Sequence, residues 1–482
     1  MLLLGDVNVP KEHLKDRSVI PAFHFEKPND STLRLSWWER DDYATDAPYQ
    51  LADDRDQVPD FLVGRVPAPS NQEALALLNR IKIYESSPGL GDWRKRINYI
   101  ASEARFGAMD KMIERMFIAM VDQVVPYDYD ISMTYANPAS PYCAPPSQFG
   151  DYVMRRINQG ALLVNYVGHG APNMLDVLNW REIRYPICTQ KQAAAQLDID
   201  PHQAPILLII ACSTGMYDRP NGKRSLSESM LFNPRGPIAV IAGSRITHPY
   251  PNAIYQKDFT DQLCVQQRAT IGGVDLAATR QLINLSNQDD QTIEQIAALI
   301  ALQGKWESTP AKLRTIHASL YNLLGDPATA IPYPKNSIED LAFNSVTGEI
   351  SGQVTNISIP ADLIVTVETP RKILAHPDEL RTVTGRDDPD LERKATHNYE
   401  IANNFILWQT QLQSNATGRF TITIDQQQFD EFSRGLDQLW IKVAAYQSRP
   451  GESRIENEPD KSGQLIATSS MNVMVKSKPV GR

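Results

Sequence analysis

The fold is decided by two apolar runs, Ala161-Leu162-Leu163-Val164-Asn165-Tyr166-Val167 and Pro205-Ile206-Leu207-Leu208-Ile209-Ile210-Ala211. Each run is too short to cross a bilayer and ends in a glycine-containing turn, so both are predicted to be buried strands. Gly168-His169-Gly170 follows the first run, and Cys212-Ser213-Thr214-Gly215 follows the second. If the strands are parallel, an imidazole and a thiol lie at the same edge of one sheet, where open α/β sheets bind their ligands.

His169 and Cys212 together have the chemistry of a nucleophile and its base. A thiol is mostly protonated at neutral pH, and a nearby imidazole lowers its pKa or takes its proton. The glycines beside His169 leave room for a substrate backbone and can offer an N–H to a developing oxyanion. Taken alone, a cysteine after an apolar strand is more often a core residue, and a histidine between glycines is usually a turn residue. Their joint position at two strand ends favours the catalytic interpretation.

Two segments after the cysteine extend the pattern, Ser225-Leu226-Ser227-Glu228-Ser229-Met230-Leu231 and Gly236-Pro237-Ile238-Ala239-Val240-Ile241-Ala242. With the two strand ends, they resemble the gingipain family of cysteine peptidases, peptidase family C25. Further resemblances occur in the family's order at Leu3-Leu4-Gly5-Asp6, Pro59-Asp60-Phe61-Leu62-Val63-Gly64-Arg65-Val66-Pro67, Lys82-Ile83-Tyr84-Glu85 with Trp93, and Tyr321-Asn322-Leu323-Leu324-Gly325-Asp326-Pro327. Such a set of ordered matches, roughly over residues 1 to 334, is more specific than one histidine and one cysteine.

The resemblance implies an α/β, caspase-like fold, which is a mostly parallel sheet with helices on both faces. It implies a cysteine endopeptidase that acts on protein or peptide substrates through a Cys-His dyad. Cys212 would be the nucleophile and His169 the proton-transferring group, and the N–H groups of Gly170 and Cys212 would form the oxyanion hole. Glu103 is expected near His169 as an orienting carboxylate. Acyl transfer of this kind requires no cofactor.

A substrate pocket is also expected from the resemblance. Arginine-specific members of the family have a pocket aspartate followed four positions later by a glutamate, and Asp110 and Glu114 have that spacing. The resemblance therefore implies a basic P1 residue, although Asp110 could equally be the first-turn acid that a helix dipole favours. His248 and Tyr250 are candidate walls of the substrate cleft, and the alternative is an exposed loop.

Composition excludes several other classes of protein. The chain has 482 residues, of which 42% are hydrophobic and 22% charged, as in an ordinary globular protein. A net charge of −9 argues against binding to a nucleic-acid backbone. The four cysteines are too scattered for a disulfide framework or a zinc site. The acidic residues between positions 41 and 56 lack the alternating pattern of a calcium loop, so a solvated loop is favoured over a metal site, and structural calcium is possible but not indicated.

The predicted localisation of the protein depends on how the start of the chain is interpreted. No apolar run approaches the roughly 20 residues that span a bilayer, and Met1-Leu2-Leu3-Leu4 is ended by Gly5 before a signal sequence is complete. The chain is expected to begin inside the family's first subdomain, without its first strands. The resemblance implies a secreted or cell-surface protein, whereas the chain as given would stay in the cytoplasm.

The sequence pattern changes near Ile331-Pro332-Tyr333-Pro334. Before it, residues 123–147 hold five prolines and are predicted to be a surface connection. After it, period-two runs without long helices predict an antiparallel, all-β immunoglobulin-like sandwich. These runs are Glu349–Val354, Ala361–Glu368, Asn404–Leu412, Arg419–Ile424, Gln438–Tyr446 and Leu465–Val475. The predicted domains are residues 1–334, the peptidase, and residues 335–482, the sandwich.

The alternative to an enzyme is a catalytically silent, surface-displayed scaffold or binding protein that keeps the fold. An incomplete first subdomain favours this alternative, because a missing strand exposes a sheet edge and can leave the cleft unformed. The presence of both His169 and Cys212 opposes it.

Overall fold

The structure is a computed structural model that describes residues 1–7, 19–26, 42–53, 55–86, 89–105, 107, 110–284, 294, 309–447 and 463–475. Its N-terminal region contains the strands β1 (Leu2–Leu4), β2 (Phe23–Glu26), β3 (Asp42–Thr45), β4 (Gly64–Val66), β5 (Arg96–Ser102), β6 (Asp130–Ala136), β7 (Leu163–Val167), β8 (Gly170–Ala171), β9 (Met174–Leu175), β10 (Val177–Trp180), β11 (Ile183–Pro186), β12 (Ile206–Ile210), β13 (Ala239–Gly243) and β14 (Tyr321–Leu324). Its helices are α1 (Asn71–Ser86), α2 (Asp110–Val124), α3 (Phe149–Asn158), α4 (Gln190–Gln196), α5 (Leu226–Leu231), α6 (Pro249–Cys264), α7 (Ile271–Asn284) and α8 (Pro310–Leu320).

An eight-stranded sheet forms the centre, with the strand order β1-β4-β14-β13-β12-β7-β5-β6. The five strands from β13 to β6 pair in parallel, and β14 is antiparallel to β13. The two apolar runs are therefore parallel neighbours, as predicted. Every residue of β12 and β13 is buried, which explains why these strands are continuous apolar runs rather than alternating ones. The predicted mostly parallel α/β fold is confirmed.

Helix α5 begins at the position that the sequence indicates. The Ser225 hydroxyl accepts from the Glu228 N–H, and the Glu228 carboxylate accepts from the Ser225 N–H at 2.7 Å. This reciprocal pair is a capping box, which satisfies two N–H groups that the helix itself leaves unpaired. Burial raises the pKa of Glu228 to about 8.

The prediction for residues 123–147 was wrong. This segment contains β6, which lies at one edge of the central sheet and pairs with β5 along its whole length. Six of its seven residues are buried, and so is Cys143 in the following loop. The prolines flank the strand and do not interrupt it. A helix much later in the chain, residues Leu391–Ala402, covers β6, and the local sequence pattern could not indicate this contact.

The C-terminal region is an antiparallel β-sandwich, as predicted. One sheet has the order β15-β16-β19 and the other β18-β17-β20-β21, and side chains from both sheets share one hydrophobic cluster. The strands are β15 (Ile338–Asn344), β16 (Glu349–Val354), β17 (Asp362–Glu368), β18 (Ile406–Gln413), β19 (Arg419–Thr423), β20 (Gln438–Gln447) and β21 (Gln464–Met474), with α9 (Leu391–Ala402) and α10 (Gln426–Phe432) between them. The expectation of a region without long helices was wrong, because the β17–β18 connection carries α9.

Helix α9 packs on the N-terminal region rather than on the sandwich. Leu391 and Tyr399 belong to the hydrophobic cluster of the central sheet. The Tyr399 hydroxyl lies 2.6 Å from Thr134 Oγ1 on β6, and the Asn403 amide bonds both the N–H and the carbonyl of Met133. The edge strand β6 is thereby covered, which removes unpaired backbone groups from solvent.

Candidate active site

The strand register brings four loops together at the carboxyl end of the sheet. Val167 of β7 pairs with Ile210 of β12 and with Ala101 of β5. His169 and Cys212 each follow this register position by two residues, so they leave adjacent strands at the same level. The loops after β5 and β13 flank them on either side, since the strand order is β13-β12-β7-β5.

The backbone of His169 is held on both sides, while its side chain is exposed. Its N–H donates to Ser102 Oγ at 3.1 Å, and its carbonyl accepts from the Tyr166 hydroxyl at 2.7 Å. Both partners come from the strand ends of the same sheet. The two bonds fix the loop and leave the imidazole facing solvent, where a substrate can reach it.

Close packing explains why both neighbours of His169 are glycines. Gly168 has a φ of 152°, and a Cβ there would collide with Ser102 Oγ. A Cβ on Gly170 would lie 2.7 Å from Thr214 Cγ2 and 2.9 Å from the carbonyl oxygen of Cys212. The Gly-His-Gly loop can therefore approach the cysteine loop only because it lacks side chains at these two positions.

Cys212 differs from the other three cysteines in its exposure. It is half-buried, whereas Cys143, Cys188 and Cys264 are buried. Burial raises the pKa of each of these three thiols, so they stay protonated and inaccessible. Of the four cysteines in the chain, all of which the structure describes, Cys212 is the one that a substrate can reach.

The loop after Cys212 is clamped to the loop after β13. The Ser213 N–H donates to the Arg245 carbonyl at 2.9 Å, and Ser213 has a φ of 56°, a conformation that costs a non-glycine residue roughly 1–3 kcal/mol. The Arg245 guanidinium forms a bidentate pair with Asp218 at 2.8 and 2.7 Å, and both side chains are fully buried. The ion pair joins the two loops and holds the strained residue directly after Cys212.

Thr247 contacts the sulfur of Cys212 directly. Its backbone N–H donates to Sγ at 3.4 Å, and its Oγ1 lies 3.8 Å from the same atom. Thr247 lies four residues beyond β13, so it reaches the site from the third strand end of this edge.

Glu103, the expected orienting carboxylate, is paired with an arginine from the C-terminal region. Its Oε1 accepts from the Arg386 guanidinium, which also donates to the Asn179 carbonyl at 3.2 Å. Glu103 directly follows Ser102, the residue that bonds the His169 N–H. The structure thus places Glu103 beside the histidine loop and engages its carboxylate with Arg386.

Asp110 and Glu114 lie on α2, on the same side of the site as Glu103. Asp110 is buried in the first turn of the helix, and Glu114 accepts from the Ser140 hydroxyl. Burial, together with the negative charge of Glu114, Asp110 and Glu103, raises the pKa of the Tyr135 hydroxyl. The charges of three carboxylates therefore act on one tyrosine near the end of β6.

His248 and Tyr250 are not in an exposed loop, because both are buried. His248 caps α6, and its Nδ1 accepts from the Tyr250 N–H at 3.2 Å. The Tyr250 hydroxyl accepts from Arg314 of α8 at 3.1 Å. Their contacts hold α6 and α8 behind the Thr247 loop.

Sequence reasoning missed the residues that hold the loops of His169 and Cys212, which are Ser102, Tyr166, Arg245 and Thr247, and it missed Arg386, which pairs with Glu103. Ser102 and Thr247 had a usable signal, since both lie at or just past the end of a strand beside β7 or β12. No local signal pointed to Arg386, which meets Glu103 across 283 positions.

The described part of the chain also bears on membrane and metal sites. It contains no helix with the length and apolarity of a bilayer-spanning segment. Within the same described residues, no group of three or more His, Cys, Asp or Glu side chains is arranged to bind a metal ion.

A comparison with protein-family models agrees with the resemblance in the sequence. Residues 1–332 match the model of peptidase family C25. The solved structure of the Arg-specific cysteine proteinase gingipain R (RgpB) is 15% identical, with a TM-score of 0.42 over 90% of this chain and 79% of that one. The complex of RgpB pro- and mature domains from Porphyromonas gingivalis is 14% identical, with a TM-score of 0.41 over 90% and 81%. Dimeric latent PorU from the same organism is 12% identical, with a TM-score of 0.28 over 98% and 36%. No curated protein matches the chain.

The family match covers more than two thirds of the chain, and it defines the class of protein as a cysteine peptidase. The chain belongs to peptidase family C25.

Proposed function

We propose that this protein is a cysteine endopeptidase in which Cys212 and His169 form the catalytic dyad. The observation that carries the proposal is the register of β7 and β12, which delivers the half-buried thiol and the exposed imidazole to neighbouring strand ends. A silent scaffold would not require an accessible thiol at this position, with glycines on both sides of the facing histidine.

The proposed reaction is acyl transfer to the cysteine. The Cys212 thiolate attacks the scissile carbonyl carbon, and the N–H groups of Gly170 and Cys212 bind the oxyanion. His169 gives a proton to the leaving amine as the C–N bond breaks, and it then removes a proton from the water that hydrolyses the thioester. No cofactor is needed for these steps.

Substitution of Cys212 tests the assignment. We expect Cys212→Ala to abolish peptide cleavage and labelling by a thiol-directed electrophile, and His169→Ala to lose almost as much activity, because members of one catalytic unit fail together. Cys264→Ala is the matched control, since this thiol is buried away from the sheet edge, and it should keep both activities. Peptide cleavage that persists in the Cys212→Ala protein would end the assignment.

We further propose that a basic P1 residue binds near Asp110. The support is the group of three carboxylates whose charges act on Tyr135 and the fact that a guanidinium, that of Arg386, already contacts Glu103. A carboxylate in a partly desolvated pocket can hold a guanidinium by a bidentate, charge-assisted pair. Lysine lacks the planar fork, so arginine should be preferred.

Profiling of a peptide library tests this preference. Losing the pair would cost on the order of 2–5 kcal/mol, so Asp110→Asn should lower kcat/KM for arginyl substrates by roughly 30-fold to several thousand-fold. Asp151→Asn is the control, because Asp151 is also a first-turn aspartate, but on α3. Full activity of Asp110→Asn on arginyl peptides, or a preference for acidic P1 residues, would remove Asp110 from the site.

The proposal also includes the location of the protein, its substrates and the roles of its two regions. We propose a secreted or cell-surface location and protein or peptide substrates, in keeping with the family resemblance. We also propose that residues 1–334 carry the catalysis and that residues 335–482 support them, since the candidate catalytic residues all lie before position 334.

A further inference from the structure

Thr247 offers two groups to the sulfur of Cys212, the N–H at 3.4 Å and the hydroxyl at 3.8 Å. A backbone N–H can only donate, so its bond to sulfur strengthens when the thiol becomes a thiolate. The neutral thiol can in turn donate to the Thr247 carbonyl, but over a longer distance of 3.8 Å. The shorter contact therefore favours the ionised form, which is the nucleophile.

The Thr247 side chain is held by two further residues. Asn252 donates from Nδ2 to Thr247 Oγ1 at 2.9 Å, and the Tyr321 hydroxyl donates to Asn252 Oδ1 at 2.8 Å. Tyr321 is itself stacked on Tyr255, with ring centroids 5.0 Å apart. The Thr247 side chain also forms a hydrogen bond with Tyr321, and its Oγ1 lies 3.8 Å from the sulfur, a pair in which either atom can be the donor.

The backbone on both sides of Thr247 is also fixed. The His248 N–H donates to His317 Nε2, which anchors the peptide group that follows Thr247. On the other side, the Arg245 carbonyl accepts from the Ser213 N–H. The donor that faces the sulfur is therefore held in place before any substrate arrives, which is the condition under which a hydrogen bond contributes most to catalysis.

We propose that Thr247 is a further catalytic residue, whose N–H and hydroxyl stabilise the Cys212 thiolate, and that Asn252 and Tyr321 are positioning residues that hold it. The proposal rests on the proposed function in one respect, namely that Cys212 is the nucleophile. It adds a source of thiolate stabilisation that is independent of His169.

Other ionisable groups lie on the elements around this sulfur, so the decisive substitutions are those at Thr247, which leave these groups in place; Tyr321→Phe removes one of them. They are His169 after β7, His248 in the Thr247 loop, His317 on α8, Tyr321 on β14, and the Arg245 and Asp218 pair. Burial keeps the pKa of His317 low, at about 3, and raises the pKa of Tyr321. The substitutions at Thr247 preserve all of these groups.

The test is the pH dependence of Cys212 alkylation by iodoacetamide in the full chain. The midpoint of this profile reports the apparent pKa of the thiol. We expect Thr247→Val and Tyr321→Phe to raise the midpoint by roughly half to one pH unit, which makes alkylation about 3- to 10-fold slower below the midpoint. The rate at high pH should stay unchanged, and Thr247→Ser, which keeps the hydroxyl, should restore the wild-type midpoint.

Tyr255→Phe is the matched control. It also removes a buried tyrosine hydroxyl from the same stacked pair, but that hydroxyl bonds Asp275 and not Asn252. It should lower stability without moving the midpoint. The proposal is overturned if Thr247→Val leaves the midpoint unchanged, if Thr247→Ser shifts it equally, or if Tyr255→Phe shifts it as much. Alkylation requires no peptide, so this result is independent of whether Cys212→Ala abolishes cleavage.

Discussion

At the residue scale, the active site depends on how closely two loops approach. The Gly170 Cα faces the carbonyl oxygen of Cys212, with no space for a side chain between them. Ser213, in its left-handed conformation, turns the chain away directly after the sulfur. The candidate site is therefore assembled from backbone geometry as much as from the side chains of His169 and Cys212.

Gly170→Ala tests this dependence. The added Cβ would lie 2.9 Å from the Cys212 oxygen, so one loop must move, at a cost of roughly 1–3 kcal/mol. We expect kcat/KM to fall at least about tenfold, because a small displacement of His169 from Cys212 misaligns the dyad. Gly273→Ala in α7 is the control and should be tolerated, since its Cβ meets only side-chain atoms. Full activity of Gly170→Ala in steady-state assays would contradict the expectation.

At the scale of elements, His317 joins α8 to the start of α6. Its Nδ1 lies 3.0 Å from the Leu313 carbonyl, and its Nε2 accepts the His248 N–H. The ring is therefore neutral with its hydrogen on Nδ1. Burial, with the nearby charge of His248, lowers the pKa of His317 from 6.5 to about 3.

This shift predicts how stability depends on pH. Between pH 6.5 and about 3 the unfolded chain binds a proton at His317 that the folded chain excludes, so the free energy of unfolding falls as the pH falls. The contribution is at most about 1.4 kcal/mol per pH unit. We expect His317→Gln to be less stable at pH 7 but to lose stability less steeply over this window, as measured by urea unfolding at several pH values. Parallel pH profiles for the two proteins would refute the assignment.

At the scale of the whole molecule, the C-terminal region is bonded to the N-terminal one at several places. Arg371, in the insertion that carries α9, is buried, donates to the carbonyls of Pro126 and Tyr129 at 2.8 Å, and lies over the Tyr127 ring. Lys442 of β20 pairs with Asp130 of β6. The domain boundary at residue 334 remains a prediction from the sequence. The contacts between the two regions indicate that they unfold together.

Arg371→Met tests that coupling. Removing the guanidinium leaves buried carbonyls without their donors, which should cost on the order of 3 kcal/mol. We expect wild-type calorimetry to show one unfolding transition and the variant to show two, because the regions lose a buried polar connection between them. Arg419→Ala, on an exposed part of β19, should change neither the number of transitions nor the stability by more than about 0.5 kcal/mol. Two transitions in the wild-type protein would show that the regions are already independent.

The sequence by itself determined the elements whose signals are local. The buried strands β7 and β12 follow from short continuous apolar runs, most of the sandwich strands from a period of two residues, and the start of α5 from its capping residues. The position of His169 and Cys212 at one sheet edge also follows from the sequence, because parallel strands end on the same side. These features depend on neighbours only a few residues apart.

Only the tertiary structure decided which side chains hold the site. Arg386 contacts Glu103, and α9 covers β6, although each pair is separated by more than 240 residues in the sequence. No local sequence pattern predicts such long-range contacts. Thr247 faces the sulfur because β13 lies next to β12 and because Asn252 fixes its side chain. The physical reason is that hydrogen bonds and ion pairs act over a few ångströms, whereas the segments that make them are brought together only by the packing of the whole chain.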